Sequence, residues 1–211
     1  MARILITSGP TRQYLDPVRY LSNGSSGRMG SALARAAVAQ GHEVVVISGP
    51  VELEYPAGVE LIRVVSTEEL LAACQRCFPL CDGLIAAAAP CDYRPRAVAS
   101  QKIAKTGQPL QLQLIETPDV VASLGQTKRS EQWIVGFALE TEDSRLRGLA
   151  KLEKKSCDLM VLNGPEAMDS LRNEVEVIDR GGQLVAAFAG SKLQVAERLL
   201  QLLQQRLIAR S

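Results

Sequence analysis

The sequence has almost no surplus of charge of either sign and only one histidine. Its 24 lysines and arginines face 23 aspartates and glutamates, and this balance argues against the basic face that binds nucleic acid. Because His42 is the only histidine, the sequence cannot form a histidine-rich metal site and offers no clear Ser-His-Asp catalytic set. No apolar run approaches the roughly 18 residues of a membrane span, and the chain enters a strand-like run at once. A cytoplasmic protein without membrane contacts is therefore expected.

The cysteines do not indicate a disulfide framework, because their number is odd and the sequence otherwise has an intracellular character. The spacing of Cys74, Cys77 and Cys81 is compatible with a metal site, but they lie on a predicted helix and its exit with no fourth ligand nearby. Packing of reduced thiols is the favoured interpretation for these three, and Cys91 and Cys157 are also expected to be reduced.

Strand-like and helix-like segments alternate along the chain, which predicts a mostly parallel sheet with helices on both faces. A chain of 211 residues is long enough for one such domain with a substantial core, so a single domain over 1–211 is expected. The predicted strands are 3–8, 43–48, 59–65, 82–88, 133–138 and 158–162, and the predicted helices are 26–40, 67–77, a short one from Pro118, and 144–155.

Three further segments complete the α/β prediction. Segments 174–179 and 183–188 flank Arg180-Gly181-Gly182, which predicts an antiparallel hairpin at one edge of the sheet. Helical spacing of leucines over 191–210 predicts a last helix with Ser191 as N-cap. Residues 110–114 alternate Leu and Gln within a long irregular stretch, which predicts a projecting strand exposed on one side that pairs with a second subunit.

A glycine-rich polar loop, 22–30, precedes the first helix and is suited to binding a phosphate. Gly24, Gly27 and Gly30 allow close approach to the backbone, and the helix start offers unpaired N–H groups. A dinucleotide site is disfavoured, since the loop does not follow the first strand directly and the second strand ends in Ser48-Gly49-Pro50 without an acidic residue.

Charged residues outside that loop supply the other candidates for chemistry. Asp92 follows the fourth predicted strand and could bind an exocyclic amine or a metal, or simply form a turn. Lys102 and Lys105 could fold over a triphosphate or be solvated surface residues, and Arg19 is a candidate ligand clamp. With no G-x-S-x-G or Walker loop present, nucleotidyl or phosphoryl transfer fits this inventory.

Several motifs, in the same order and spacing, resemble phosphopantothenoylcysteine synthetase over nearly the whole chain. The resemblance implies a Rossmann-like fold, a homodimer whose projecting strands complete the neighbouring site, and Mg2+ with CTP as co-substrate. The activity it implies joins 4′-phosphopantothenate to L-cysteine through an acyl-cytidylate. The motifs are Gly9-Pro10-Thr11, Asp16-Pro17-Val18-Arg19-Tyr20-Leu21-Ser22-Asn23, Ser25-Ser26-Gly27-Arg28-Met29-Gly30, Asp92-Tyr93-Arg94, Lys102-Ile103-Ala104-Lys105 and Gly136-Phe137-Ala138-Leu139-Glu140-Thr141.

The resemblance also assigns roles by matching positions. Asn23 matches the asparagine that binds the acyl-cytidylate, Asp92 the residue that recognises cytosine, and Lys102 the catalytic lysine. The CTP contacts it implies are Ala88, Ala89, Asp92, Lys102, Pro118, Asp119, Val120, Val121, Phe137, Lys151 and Lys155. The contacts implied for phosphopantothenate or a phosphate are Gly9, Thr11, Arg19, Asn23, Ser25, Ser26 and Gly27; no metal ligands are assigned.

Three departures from the family pattern and three alternatives remain open at this point. Gly24 occupies a position that more often has a larger residue, and Pro90-Cys91 interrupts the usual run of small residues before Asp92. Ala104 replaces the middle lysine of the lysine motif, which implies weaker triphosphate binding or a different arrangement of Mg2+. The chain looks like the synthetase alone, so no flavin is expected in it and a separate flavin-dependent decarboxylase is an expected partner. The alternatives are an ATP-using synthetase of the same family, an NAD(P)-linked protein and another nucleotide-binding protein, the last two without ligase activity.

Overall fold

The computed structural model describes residues 1–139, 144–164 and 172–209; Glu140 and Thr141 of the sixth motif lie outside these ranges. The strands are β1 (Arg3–Ser8), β2 (Arg12–Tyr14), β3 (Tyr20–Ser22), β4 (Glu43–Ser48), β5 (Val59–Arg63), β6 (Gly83–Ala86), β7 (Tyr93–Pro95), β8 (Leu114–Glu116), β9 (Trp133–Leu139), β10 (Leu159–Asn163), β11 (Arg172–Asp179) and β12 (Leu184–Ser191). The helices are α1 (Arg28–Ala39), α2 (Thr67–Cys77), α3 (Val120–Thr127), α4 (Ser144–Lys154) and α5 (Lys192–Leu203), followed by a π-helical segment, Gln204–Ile208.

Eight strands form the main sheet in the order β12-β11-β10-β9-β6-β1-β4-β5. The six from β10 to β5 run parallel, and β11 and β12 are antiparallel to their neighbours. The doubly wound α/β prediction and the antiparallel edge hairpin are thus confirmed. The parallel strands also place all their carboxyl ends, and the loops that follow them, along one edge.

Helices cover both faces of the sheet because its central strands are apolar on both sides. On one face α1 packs on β1 and β4, α5 packs on β11 and β12, and the two helices contact each other, with Leu33 and Leu199 in the shared core. On the other face α2, α3 and α4 contribute Leu70, Leu124 and Leu152. Ser191 caps α5 as predicted, with Gln194 completing a capping box.

Within the single chain, the strand predicted at 110–114 is formed only at its last residue, and its pairing with a second subunit stays a prediction. Only Leu114 belongs to a strand, where β8 pairs with β7 across Pro95, while Leu110 and Leu112 are 56% and 40% exposed. Alternation alone did not make a strand because 110–113 have no ladder partner among the described residues. The strand predicted at 82–88 is also shorter, since β6 ends at Ala86 and residues 87–89 run outside the ladder.

All five cysteines are free thiols, and four are buried. Cys74 and Cys81 lie in the core with α2, and burial raises the pKa of the Cys74 thiol to about 12. Within the described residues, no helix has both the length and the apolar character needed to cross a membrane.

Candidate active site

Two adjacent clefts open at the carboxyl edge of the parallel strands, where ligands bind in open α/β sheets. The first, the glycine-loop cleft, has a volume of about 470 Å³. The second, the α3 cleft, has a volume of about 320 Å³. Ala88, Asp92, Phe137 and Lys151 line both clefts and form a shared wall between them.

The glycine-loop cleft is lined by the whole polar loop from Asn23 to the first turn of α1. Gly27 is the N-cap of α1 with φ 72°, a conformation that glycine adopts without a steric penalty. No side chain of the described residues caps this helix, whereas Ser66, Asp119 and Ser191 cap α2, α3 and α5. The uncapped amides at the start of α1 therefore remain available to an anion in the cleft.

Gly30 sets how closely α1 approaches the first strand. A Cβ at this position would overlap the side chain of Ser8. The Ser8 hydroxyl in turn donates to the carbonyl of Gly27 at 3.1 Å. The glycine therefore serves helix–strand packing, which holds the loop in place, as well as leaving space near the ligand.

Asn23 connects the glycine loop to the loop that carries Asp92. Its Nδ2 donates to the carbonyls of Ala89 at 3.3 Å and Pro90 at 2.9 Å. Both hydrogens of that amide are thereby engaged. The Oδ1 atom is the part of the side chain left for a ligand, so the asparagine presents an acceptor to the cleft.

Asp92 lies on the shared wall with an exposed side chain. Its position is set by the backbone, since its carbonyl accepts from Thr117 N at 2.9 Å and the N–H of the preceding Cys91 donates to Thr11 Oγ1 at 2.8 Å. Ala88 presents a small side chain beside it. A carboxylate next to a surface of small residues can bind the amine edge of a flat base.

The α3 cleft collects the other predicted nucleotide contacts. Pro118, Asp119, Val120 and Val121 form the start of α3, and Lys151 and Lys155 come from α4 and the turn after it. Asp119 both caps α3 through Ala122 N and pairs with Lys155 at 3.3 Å.

Four of the predicted contacts, Gly9, Thr11, Arg19 and Lys102, do not line either cleft within the described structure. Gly9 accepts from Ala89 N, and Thr11 is 1% exposed and bonded to Thr67 and Cys91. These two residues thus support the loop that carries Ala89 and Asp92.

Arg19 forms a salt bridge with the fully buried Asp16 and donates to the carbonyl of Ile103. Burial disfavours the charged form of Asp16, but hydrogen bonds from Val18, Ile103 and Arg19 outweigh it and hold the pKa of this carboxyl well below its usual range. Lys102 is exposed on the segment that these contacts hold.

Three polar residues of the glycine-loop cleft were missed by the sequence reasoning. Asn163 ends β10, Asn173 belongs to β11, and Lys192 begins α5. Lys192 Nζ donates to Asn173 Oδ1 at 3.2 Å. Asn163 could have been found, because it ends a predicted parallel strand; the other two depend on the antiparallel hairpin folding back to the same edge.

The charge of the glycine-loop cleft suits a polyphosphate. Among the described residues, Arg28, Lys151 and Lys192 line it together with one carboxylate, that of Asp92. The α3 cleft is more balanced, because its lysines face Asp92, Glu116 and Asp119. Among the described residues no group of three or more His, Cys, Asp or Glu is arranged to hold a metal ion.

The chain is similar to known proteins over nearly its whole length. A family model described as the DNA/pantothenate metabolism flavoprotein C-terminal domain matches residues 1–207. The coenzyme A biosynthesis bifunctional protein CoaBC of Vibrio parahaemolyticus is 38% identical over 208 residues, which cover 96% of this chain and 52% of that protein. CoaBC of Vibrio cholerae is 44% identical over 163 residues, covering 76% of this chain and 41% of that protein.

The solved structure of the C-terminal domain of a CoaBC protein superposes with a TM-score of 0.85 at 34% identity, covering 98% of this chain and 96% of that one. This match confirms the fold. The chain spans about half the length of the curated relatives it matches.

Proposed function

We propose that this chain, which belongs to the family of the DNA/pantothenate metabolism flavoprotein C-terminal domain, is a CTP-dependent ligase that joins 4′-phosphopantothenate to L-cysteine in coenzyme A biosynthesis. The observation that carries the proposal is the shared wall. It brings Ala88, Asp92, Phe137 and Lys151, all assigned to the nucleotide, next to the loop of Asn23 and the start of α1.

The nucleotide is proposed to lie across this wall. Its base would contact Ala88 and the Asp92 carboxylate, which can accept a hydrogen bond from the N4 amine of cytosine. Its phosphates would lie at the uncapped start of α1, near Arg28 and Lys151. The charge and shape of the clefts support both placements.

In the first proposed step a carboxylate oxygen of phosphopantothenate attacks the α-phosphorus of CTP. The bond from the α-phosphorus to the bridging oxygen breaks, and pyrophosphate leaves. The Lys102 ammonium, brought over the site, would stabilise the negative charge that develops on phosphorus. No general base is needed in this step, because the nucleophile is already ionised.

In the second step the amine of cysteine attacks the acyl carbonyl, and CMP leaves as the amide forms. Asn23 Oδ1 is suited to this step, because an acceptor can orient an attacking N–H group. The Nδ2 contacts to Ala89 and Pro90 fix where that acceptor points. The asparagine thus acts through position and remains uncharged.

Mg2+ is proposed to enter with the nucleotide. This ion usually keeps several waters and binds one or two carboxylates together with substrate phosphates. Since no group of three or more His, Cys, Asp or Glu is arranged for a metal among the described residues, the ion would be held mainly by the nucleotide phosphates and water. The ion would neutralise phosphate charge during attack on the α-phosphorus.

Composite sites of a homodimer are the second part of the proposal, because Lys102 lies away from the clefts of its own chain. Mixing two impaired variants, Lys102→Gln and Asn23→Asp, tests it. With equal mixing, half of the dimers have one intact composite site, so activity should recover to about a quarter of the wild-type value. Activity no greater than the sum of the separate variants would contradict sharing of the lysine. A separate flavin-dependent decarboxylase stays a proposed partner.

Pyrophosphate release tests the reaction itself. With phosphopantothenate and cysteine present, turnover is expected with CTP and much less with UTP or ATP. Asp92→Asn should reduce the preference for CTP, while Asp82→Asn, at the opposite edge of the sheet, should preserve it. Rapid turnover with ATP and none with CTP would reject the role of Asp92 and favour the ATP-using alternative. Calorimetry that finds NADPH binding without CTP binding would reject the ligase assignment.

A further inference from the structure

The lysine segment, residues 101–105, forms no helix or strand, yet one of its residues is held firmly. The N–H of Ile103 donates to Asp16 Oδ2 at 3.1 Å, and its carbonyl accepts from Arg19 Nη2 at 2.6 Å. The residue directly after Lys102 is therefore fixed through both of its backbone groups. Nearby, Ala99 N donates to the carbonyl of Leu15 at 2.9 Å, which adds a second connection between the same two regions.

Asp16 is the centre of these contacts and has no exposed surface. Its Oδ1 accepts from Val18 N at 2.8 Å and Arg19 N at 2.9 Å, which shapes the turn between β2 and β3. Its Oδ2 accepts from Arg19 Nε and Nη2, at 3.0 and 2.6 Å, as well as from Ile103. One carboxylate thus joins the hairpin turn, the arginine and the lysine segment.

The β2–β3 hairpin leads directly into the glycine-rich polar loop, 22–30. Strand β3 ends at Ser22, and Asn23 is the next residue. The hairpin is short, with three residues in each strand, so its turn and its base are closely connected. A shift of the turn would be transmitted to both the lysine segment and the asparagine.

We propose that Asp16 is a positioning residue for the ligation: with Arg19 it fixes the lysine segment to the hairpin that carries Asn23. The inference rests on the proposed function, which gives Lys102 and Asn23 their roles. Because these contacts order the lysine segment before the substrate binds, the conformational entropy of the segment does not have to be lost in each turnover. In a composite dimer, the same contacts would set the angle at which the lysine is presented to the neighbouring site.

Asp16→Asn tests the proposal with little change in volume. In either orientation of the new amide, an NH2 group faces hydrogen-bond donors, so at least one side of the network is lost. We expect the rate of acyl-nucleotide formation to fall about tenfold to a hundredfold. We also expect trypsin to cleave faster after Lys102 and Lys105 in the folded protein.

A double-variant cycle separates positioning from simple stabilisation. If Asp16 acts by placing the lysine, Asp16→Asn should cost little further activity in a Lys102→Gln background. If it only stabilises the fold, the two losses multiply. Asp158→Asn is the matched control, since Asp158 also accepts from a backbone N–H and from cationic side chains but lies at the amino edge of the sheet. It should lower the unfolding temperature with normal turnover.

Different results would contradict the positioning role of Asp16 and the proposed ligase function. Multiplying losses, or unchanged trypsin cleavage in Asp16→Asn, would overturn the positioning role while leaving the ligase proposal intact. Full activity of Lys102→Gln would instead reject the lysine role in the proposed function. The contacts of Asp16 with the lysine segment would then have no catalytic purpose.

Discussion

Asp16 and Asp158 are bonded in similar ways at opposite edges of the molecule. Each accepts from a backbone N–H and from a cation, with Ile103 and Arg19 around Asp16. For Asp158, the partners are Ile134 N and Lys128 Nζ, both at 2.7 Å, with Arg180 at 2.6 Å. The two carboxylates differ in what they hold.

Asp158 joins segments that the main sheet already fixes, because Ile134 is the second residue of β9 and Asp158 itself directly precedes β10. Asp16 joins two segments outside the main sheet, a short hairpin and an irregular loop. The same kind of carboxylate therefore has different consequences in the two places. Asp158 is expected to add stability at the amino edge, whereas Asp16 is proposed to arrange the site at the carboxyl edge.

The largest expected difference between the two edges comes from their lysines. Lys102→Gln should reduce acyl-nucleotide formation by at least about a hundredfold, because it removes a charge that acts in the transition state. Lys128→Gln, which breaks the pair with Asp158, should keep turnover near wild type while lowering stability. Single-turnover release of pyrophosphate measures the first effect, and thermal unfolding the second. If both variants lost turnover equally, the proposed difference between a catalytic lysine at the carboxyl edge and a stabilising lysine at the amino edge would be wrong.

Asn23→Asp sharpens the comparison within the carboxyl edge, because it should impair a different step from Lys102→Gln. The new carboxylate faces the carbonyls of Ala89 and Pro90 and loses both donated hydrogen bonds. We expect about tenfold to a hundredfold slower amide formation, with pyrophosphate still released in a first turnover. Quenched-flow analysis should find the acyl-nucleotide accumulating. Loss of the pyrophosphate burst would place Asn23 in the first step.

Gly30→Ala should disturb the site through packing. Its Cβ would overlap Ser8, so α1 must shift, at a cost of about 1–3 kcal/mol in the free energy of unfolding. The shift should also weaken nucleotide binding. Gly181→Ala, in the amino-edge turn where the nearest atom to a new Cβ is 3.4 Å away, is the control and should change both quantities little. Denaturant unfolding and nucleotide titration provide the measurements.

The smallest expected effect is on the acid side of the stability profile. The lowered pKa of Asp16 means that its stabilising contribution is fully present above the unfolded pKa of about 3.9 and declines as pH falls below it. The stability difference between wild type and Asp16→Asn should therefore narrow from pH 6 to pH 3. A difference that widens toward acid would contradict the ionised state assigned to this carboxyl.

Much of the fold follows from local sequence, because β1 and β4 are long apolar runs and Ser191 is a strong cap. Residues 110–113 have the alternation of a strand, but within one chain a strand needs a neighbour, and β7 offers only three residues, which end at Pro95. Helix α5 was predicted to Arg210, whereas its regular part ends at Leu203. Hydrophobic periodicity indicates which face of a helix or strand is buried, but it does not specify the residue at which the element ends.

The parts of the site whose functional residues are close together in the sequence could be predicted. The loop from Asn23 to Gly30 and the wall at Asp92 could be located because strand ends and a helix start lie next to them. The family resemblance that these motifs indicated is confirmed by the match over residues 1–207. Asn173 and Lys192 could not be located, because their approach depends on the fold of a distant hairpin. The Asp16 network was hidden for the same reason, since Ile103 lies 87 residues further along.

The burial of the cysteines has a consequence for an enzyme proposed to consume cysteine. Burial raises the pKa of the Cys157 thiol to about 12 and that of Cys81 to about 11, so both remain protonated at neutral pH. Cys91, which precedes Asp92 in the chain, is 7% exposed and donates to the carbonyl of Tyr93. Such thiols exchange slowly with the oxidised form of the amino acid. The protein would thereby resist inactivation by mixed disulfides with cystine.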